Sequence, residues 1–397
     1  MRNLEDAIYF AINKTDQREN IRCIDIPNYY NFEEMCTTFH TILQSNQPVE
    51  LKRSSITIIC TSYDGFRKAI ELGFNARYLY DHLDFTDTHY YVLNEFPLNY
   101  HNILESADGI TGDVIDKIFV SLPEGAKLYV FHDSFIPRRY NGIDDINFLN
   151  HYNTYNMEML YNNKSWHSNG INSILNKLRS KKYTIENIID KANVFGGKVE
   201  MVLTDEFKLS DIDISKPVIT PHITIVPRLN IELRRYLGII NYEDECIPMP
   251  NEWLITHGPS VCHVDGQEIS LPIGYRFKVK SLIPSNMANE SFYRIKFDYE
   301  YPTGEVKEAL ILASKTYLEE LILGGSDLIP PHPQSFKVFF GYVVGSFYFL
   351  ENRVDEATII YDYTLSNERR DLYASLIPIR NNAKIFYNLT KKIKFKE

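Results

Sequence analysis

Between residues 18 and 135, short apolar runs alternate with amphipathic segments, and that alternation leaves few folds open. Ile21–Ile26, Ile56–Cys60, Tyr90–Leu93 and Lys127–Phe131 read as strands. Glu33–Leu43 and Asp64–Leu72 carry apolar residues at three- and four-residue spacing, as helices with one buried face do, and Gly73 is placed to stop the second. Strand, helix and strand in series predict βαβ units and a parallel sheet. Four apolar residues, Tyr90-Tyr91-Val92-Leu93, end abruptly at the polar pair Asn94-Glu95. That pattern suits a fully buried parallel strand whose carboxyl end carries a site.

Residues 137 to about 216 are polar and Asn-rich, with one clear helix at Gly170–Leu178, and read as a connection. A strand at Pro217–Val226 and a helix at Leu229–Leu237 then open a second α/β unit. Within it, Trp253–Thr256, Tyr275–Leu282, Phe292–Tyr301 and Glu308–Ala313 are short β-type runs broken by Gly258-Pro259, Asp265-Gly266, Gly274 and Pro302-Thr303-Gly304. Such spacing predicts a small antiparallel sheet or barrel. A helix at Tyr317–Leu323, strands at Phe336–Val344 and Thr358–Asp362, a helix at Glu368–Leu376 and a strand at Ala383–Tyr387 complete the reading.

Bulk properties narrow the function. The chain has 397 residues, enough for two or three domains, and no apolar run reaches the length of about 18 needed to span a bilayer. Met1-Arg2-Asn3-Leu4-Glu5-Asp6 lacks a basic start followed by an apolar stretch, so export is not expected. The 5 cysteines have no CxxC spacing and suit a reduced, cytoplasmic setting. A net charge of −10 opposes non-specific attraction to nucleic acid. From Glu368 to Glu397 the balance reverses, with 8 Lys/Arg against 3 Asp/Glu, ending in Lys391-Lys392-Ile393-Lys394-Phe395-Lys396. That end reads as a solvated tail, or as a contact for nucleic acid or an acidic protein. Asp81, His82 and Asp84 match no standard ligand spacing, so no metal site is expected.

In order and spacing, these pieces resemble a superfamily-one DNA helicase of the RecD/Dda type over about residues 18 to 390. The fold this implies is α/β, with two RecA-like domains (parallel sheets with flanking helices) and a small β-rich insertion in the second. The corresponding division is a first domain over 1–140, a helical or irregular connection over 141–216 completing it, and a second domain over 217–397 with the insertion at 247–313.

The resemblance fails where the family performs chemistry. Its phosphate loop, Gly-x-x-x-x-Gly-Lys-Thr, falls on Pro27 to Glu33, with Asn31, Phe32 and Glu33 at the Gly-Lys-Thr positions. Backbone wrapping, lysine and hydroxyl are all missing, and Glu33 would repel a triphosphate. The Asp-Glu box falls on Asn94-Glu95, where an amide replaces the cation-binding carboxylate and the water-activating glutamate survives. Leu122 to Asp133 closely resembles the strand leading to Gly-Asp-x-x-Gln; Asp133 is kept, but Ile136 stands at the γ-phosphate-sensing glutamine. Lys164 stands where a phosphate-contacting arginine is implied, and Pro378 replaces the arginine finger, with Arg380 two residues on. In the second domain, Asn230 and Arg234 fall on the family's Asn-containing helix. The DNA-contacting box falls on Phe347-Tyr348-Phe349-Leu350-Glu351.

The resemblance therefore implies a helicase-like pseudoenzyme, not an active ATPase, binding no cofactor. It would act through proteins of DNA replication, recombination or repair, or inhibit such machinery. One alternative is an ATP-independent single-stranded DNA binder using the cleft between the two domains and the basic C-terminus, with Phe347, Tyr348, Phe349, Lys391, Lys392, Lys394 and Lys396 as candidate contacts for nucleic acid or a partner. Another is an ATPase or helicase with displaced ligands. The Asn-, Ile-, Tyr- and Lys-rich usage fits an AT-rich genome, as of a virus or phage, and hence a host cytoplasm.

Overall fold

The computed structural model describes residues 4–13, 21–26, 32–60, 63–78, 89–94, 121–133, 135, 139–140, 143–144, 154–156, 167–180, 185, 187–188, 199–203, 206–241, 246–258, 260–272, 274–283, 291–301, 303–322, 336–349, 352–362, 369–388 and 394–396. The chain divides into two units, the first ending at Trp166 and the second beginning at His167.

The first unit runs α1 (Leu4–Asn13), β1 (Ile21–Asp25), α2 (Phe32–Ser45), β2 (Ile56–Cys60), α3 (Tyr63–Glu71), β3 (Asn75–Tyr78), β4 (Tyr90–Asn94) and β5 (Lys127–His132). The two-residue pair β6 (Arg139–Tyr140) and β7 (Ile143–Asp144) and then β8 (Thr154–Asn156) follow. Six strands form one sheet in the order β3-β2-β4-β5-β1-β8, all parallel. Every residue of β2 is buried, as a strand covered on both faces requires.

α2 turns Met35, Cys36, Phe39 and Leu43 inward, and the Phe39 ring meets Tyr129 and Phe131 edge-on at 4.9 and 6.2 Å. α1 was not foreseen, although Leu4, Ala7, Ile8, Ala11 and Ile12 lie on one helical stripe and are all buried. Its last carbonyls are satisfied from β1: buried Arg22 donates through Nη1 to the oxygens of Ala11 and Ile12. α3 ends as expected at Gly73, whose φ of +83° only glycine adopts freely, with Phe74 N–H donating to Ala69 O at 3.0 Å.

The second unit opens with α4 (Asn169–Arg179), β9 (Val199–Leu203), β10 (Glu206–Lys208), β11 (Val218–Thr220) and α5 (Val226–Tyr236). The expected strand Pro217–Val226 stops at Thr220; a 3-10 turn at Ile223–Ile225 and Pro227 in the first turn of α5 start the helix early. Strands β12 (Trp253–Thr256), β13 (Ser260–Val264), β14 (Gln267–Leu271), β15 (Arg276–Lys278), β16 (Ser281–Ile283), β17 (Phe292–Glu300) and β18 (Val306–Ser314) come next. The chain closes with α6 (Lys315–Ile322), β19 (Val338–Phe340), β20 (Val343–Gly345), α7 (Ser346–Phe349), β21 (Val354–Asp362), α8 (Arg369–Leu376), β22 (Ile379–Asn388) and β23 (Lys394–Lys396).

Its parallel sheet has the order β20-β11-β21-β22-β9. The structure places His167 onward in this unit, where the sequence had continued the first domain to residue 216. The physical reason is hydrogen bonding and packing: β9 pairs with β22, α4 packs on α8, and His167 donates through Nε2 to Ile377 O at 2.9 Å. Asn230 fixes α5 to β20, donating to Val226 O and Val343 O at 3.0 and 2.7 Å and accepting from Tyr342 and Val343 N–H at 3.1 and 3.0 Å.

The β-rich part is antiparallel, as expected, and forms two sheets ordered β14-β13-β18-β17-β16 and β15-β12-β19. β19 carries it beyond residue 313, because Val338–Phe340 pairs with β12. The β13–β14 hairpin was missed: Asp265 and Gly266 read as a break, yet with φ of +50° and +81° they form the tight turn of a hairpin. Phe277 and Phe297 join the two sheets with ring centroids 4.5 Å apart. At Gly341 a side chain would lie 3.0 Å from the Leu254 carbonyl carbon, so only glycine lets these backbones approach. The basic C-terminal stretch is no free tail at 394–396, since β23 pairs in parallel with β10.

Candidate functional site

Because all six strands of the first sheet are parallel, their carboxyl ends meet at one edge. The register sets Asp25 beside His132 and Asn156, and Asn94 beside Cys60. Ligands of open α/β sheets sit outside such an edge. Phe32, Asn94 and Asp133 therefore converge there from three separate parts of the sequence.

At the helix that would cradle phosphate, the chemistry runs the other way. Phe32 is half-buried against the unit's core, and Glu33 and Glu34 fill the first turn of α2. Carboxylates there complement the helix dipole and occupy the end that would attract an anion. Exposed Glu33 pairs with Lys68 of α3 at 3.4 Å, and Lys68 also reaches Glu71 at 3.3 Å. Burial is the largest single influence and lowers the Lys68 pKa, but the hydrogen bonds it donates to Glu71 and Glu33 and the charges of those carboxylates together raise it.

Two more acids stand at the same edge. Asp133, 6% exposed, accepts the Phe135 N–H at 2.9 Å through Oδ1 and so shapes the turn leaving β5. Asp25, 9% exposed, ends β1 and was not singled out from sequence, standing between Ile24 and Ile26 in the strand run. Deeper in the unit, burial pushes the Tyr129 hydroxyl up to about 12, with Tyr90 adding to the rise and Arg22 opposing it.

Asn31, Glu95, Ile136 and Lys164, together with Asp81, His82 and Asp84, lie outside the described residues. Asn94 is described as the end of β4, without its side chain. Among the described residues no group of three or more His, Cys, Asp or Glu could hold a metal ion, and no helix is long and apolar enough to cross a membrane.

In the second unit, Pro378 is buried after α8 and its carbonyl accepts the Val354 N–H at 2.8 Å. Arg380 lies in β22 with an exposed side chain, and its carbonyl accepts from Ser168 N–H at 2.7 Å. Phe349 is 1% exposed and belongs to the core, which removes it from any contact surface. The side chains of Phe347, Tyr348, Lys394 and Lys396, and all of Lys391 and Lys392, lie outside the described residues.

Arg234, one turn after Asn230, is fully buried: it donates to Glu252 at 2.6 and 2.9 Å and to Ile247 O at 2.6 Å, and lies 3.6 Å over the Phe340 ring. Buried His222 accepts the Asp362 N–H through Nε2 at 2.8 Å, which places its proton on Nδ1. These helix and strand stations hold the unit together.

No protein-family model matches the chain, and no curated protein matches it. Among solved structures the chain is similar to a Pif1 helicase described in DNA unwinding at forked double-stranded DNA by two coordinating copies. The TM-score is 0.48 and the identity 12%, covering 100% of this chain and 94% of that one. It is also similar to the Bacteroides Pif1 helicase in complex with ADP-AlF3 and single-stranded DNA, with a TM-score of 0.47, 11% identity and coverage of 100% and 95%. The Pif1 helicase from Candida albicans has a TM-score of 0.46 and 10% identity, with coverage of 97% and 94%.

Proposed function

We propose that this chain is a helicase-like protein without ATPase activity that works by binding, joining or inhibiting proteins of DNA replication, recombination or repair. The observation that carries the reading is the start of α2. Phe32 packs into the core, Glu33 and Glu34 take the helix end, and Asp25 and Asp133 stand at the same sheet edge. A triphosphate brought there would have to approach four acidic residues, with Lys68 already paired to Glu33 and Glu71. Substitutions at Asn94, Ile136 and Pro378 support the same reading from the sequence side.

A second reading, ATP-independent binding of single-stranded DNA, is favoured by one observation. The basic stretch is built into the fold as β23, with Lys396 beside Lys208 of β10. Phosphate release with and without an oligo-dT strand, together with a salt titration of oligo-dT binding, separates the readings. The proposal expects no hydrolysis above background and no steeply salt-dependent binding. Near-micromolar affinity that falls steeply with salt would replace it with the second reading. DNA-stimulated phosphate release would replace both with an ATPase whose ligands are displaced.

A further inference from the structure

The second unit holds a pair of cations that meet no carboxylate among the described residues. β15 presents Arg276 and Lys278 two residues apart, on the strand paired with Trp253 in β12. Arg276 lies 3.9 Å over the Trp253 ring and Lys278 approaches the same ring at 6.0 Å. Arg276 Nε donates to Gly341 O at 2.8 Å, while its Nη2 is buried with no acceptor. Burial lowers the Arg276 pKa to about 10, opposed by Tyr342, so the group still carries its charge near neutrality. Among the described residues no carboxylate lies within ion-pair distance of Arg276 or Lys278. In the adjoining sheet and its flanks, Lys280, Lys296 and Lys307 each reach a carboxylate, at 2.9, 2.6 and 2.8 Å.

Uncompensated charge at a partly buried guanidinium is costly in a chain of net charge −10, which has carboxylates to spare. With Nε bonded and Nη2 buried, Arg276 offers Nη1 alone, and together with the Lys278 ammonium this matches a single carboxylate. A nucleic-acid strand would call for a row of cations. Base stacking is also disfavoured, because the guanidinium already covers a face of Trp253. We propose that Arg276 and Lys278, mounted on Trp253, form a receptor for a carboxylate in an acidic segment of a partner protein. The inference extends the binding-protein reading but uses none of the first unit's acidic edge, so each can fail alone.

Trp253 reports on the site, since the chain has only 2 tryptophans and Trp166→Phe leaves it alone. In that background a hexaglutamate peptide is expected to change Trp253 emission saturably at physiological salt. Arg276→Gln should weaken binding about tenfold, the scale of a lost charge-assisted pair. Arg276→Lys, which keeps the charge without the planar guanidinium, should fall between. Lys278→Gln, at an exposed position, cannot be dismissed as misfolding and should weaken binding severalfold. The proposal is overturned by no saturable response, by a response that Lys278→Gln leaves unchanged, or by an oligo-dT strand that displaces the peptide with steep salt dependence.

Discussion

Arg234 and Glu252 show how much a single pair can decide. Both side chains are out of water, at 0% and 1% exposure, and Glu252 also accepts the Met249 N–H at 2.7 Å. A buried ion pair adds little over a well-packed apolar pair, but removing one partner strands the other charge. Glu252→Ala should therefore destabilise the second unit by about 3–5 kcal/mol in urea unfolding. Arg234→Met combined with Glu252→Met should recover much of that loss. An effect of Glu252→Ala below about 1 kcal/mol would mean that Arg234 finds water or another acceptor.

The reading from sequence placed Arg234 beside Asn230 on a helix associated with nucleic-acid enzymes; its real role depends on Glu252, 18 residues away, which no local pattern could supply. Asp25 was overlooked for the opposite reason. One acid at the end of an apolar strand looks like punctuation until the parallel register brings Asp133 to the neighbouring strand end.

At the scale of elements, legibility followed periodicity. β2 was found residue for residue, because a buried parallel strand between turns is a continuous apolar run. The division near residue 166 was not legible, because β9 and α4 are claimed by β22 and α8 through contacts about 200 residues apart in sequence. α1 carries a plain helical stripe, Leu4, Ala7, Ile8, Ala11 and Ile12, that periodicity alone makes legible. That helix depends on Arg22, which reaches two of its last carbonyls from β1. Arg22→Ala should leave those oxygens unsatisfied and loosen α1 by about 1–3 kcal/mol. Hydrogen exchange would read it as faster exchange across α1 with β2 still protected. Equal protection of α1 in the variant would show that packing of Ile8 and Ile12 alone holds the helix.

For the molecule as a whole, pH and nucleotide are the two informative variables. His167 and His257 are held neutral in the second unit, each lowered to about 3, chiefly by burial and in addition by the charges of Arg353 and Lys337 respectively. In the unfolded chain each binds a proton near pH 6.5, so unfolding takes up protons between about 6.5 and 3. Their contribution is complete above that window and disappears as pH falls through it, at about 1.4 kcal/mol per pH unit for each histidine. Urea unfolding followed from about pH 7 to about pH 5 should show this slope, and His257→Asn should reduce it.

The central claim concerns the acidic edge of the first sheet, where Asp25, Glu33, Glu34 and Asp133 gather. Its most direct test is the thermal midpoint of the whole chain with and without ATP and Mg²⁺. A nucleotide bound at a hundred times its dissociation constant would stabilise the folded chain by about 2.7 kcal/mol. The account predicts no shift at millimolar nucleotide, and a saturable, Mg²⁺-dependent rise in the midpoint would contradict it.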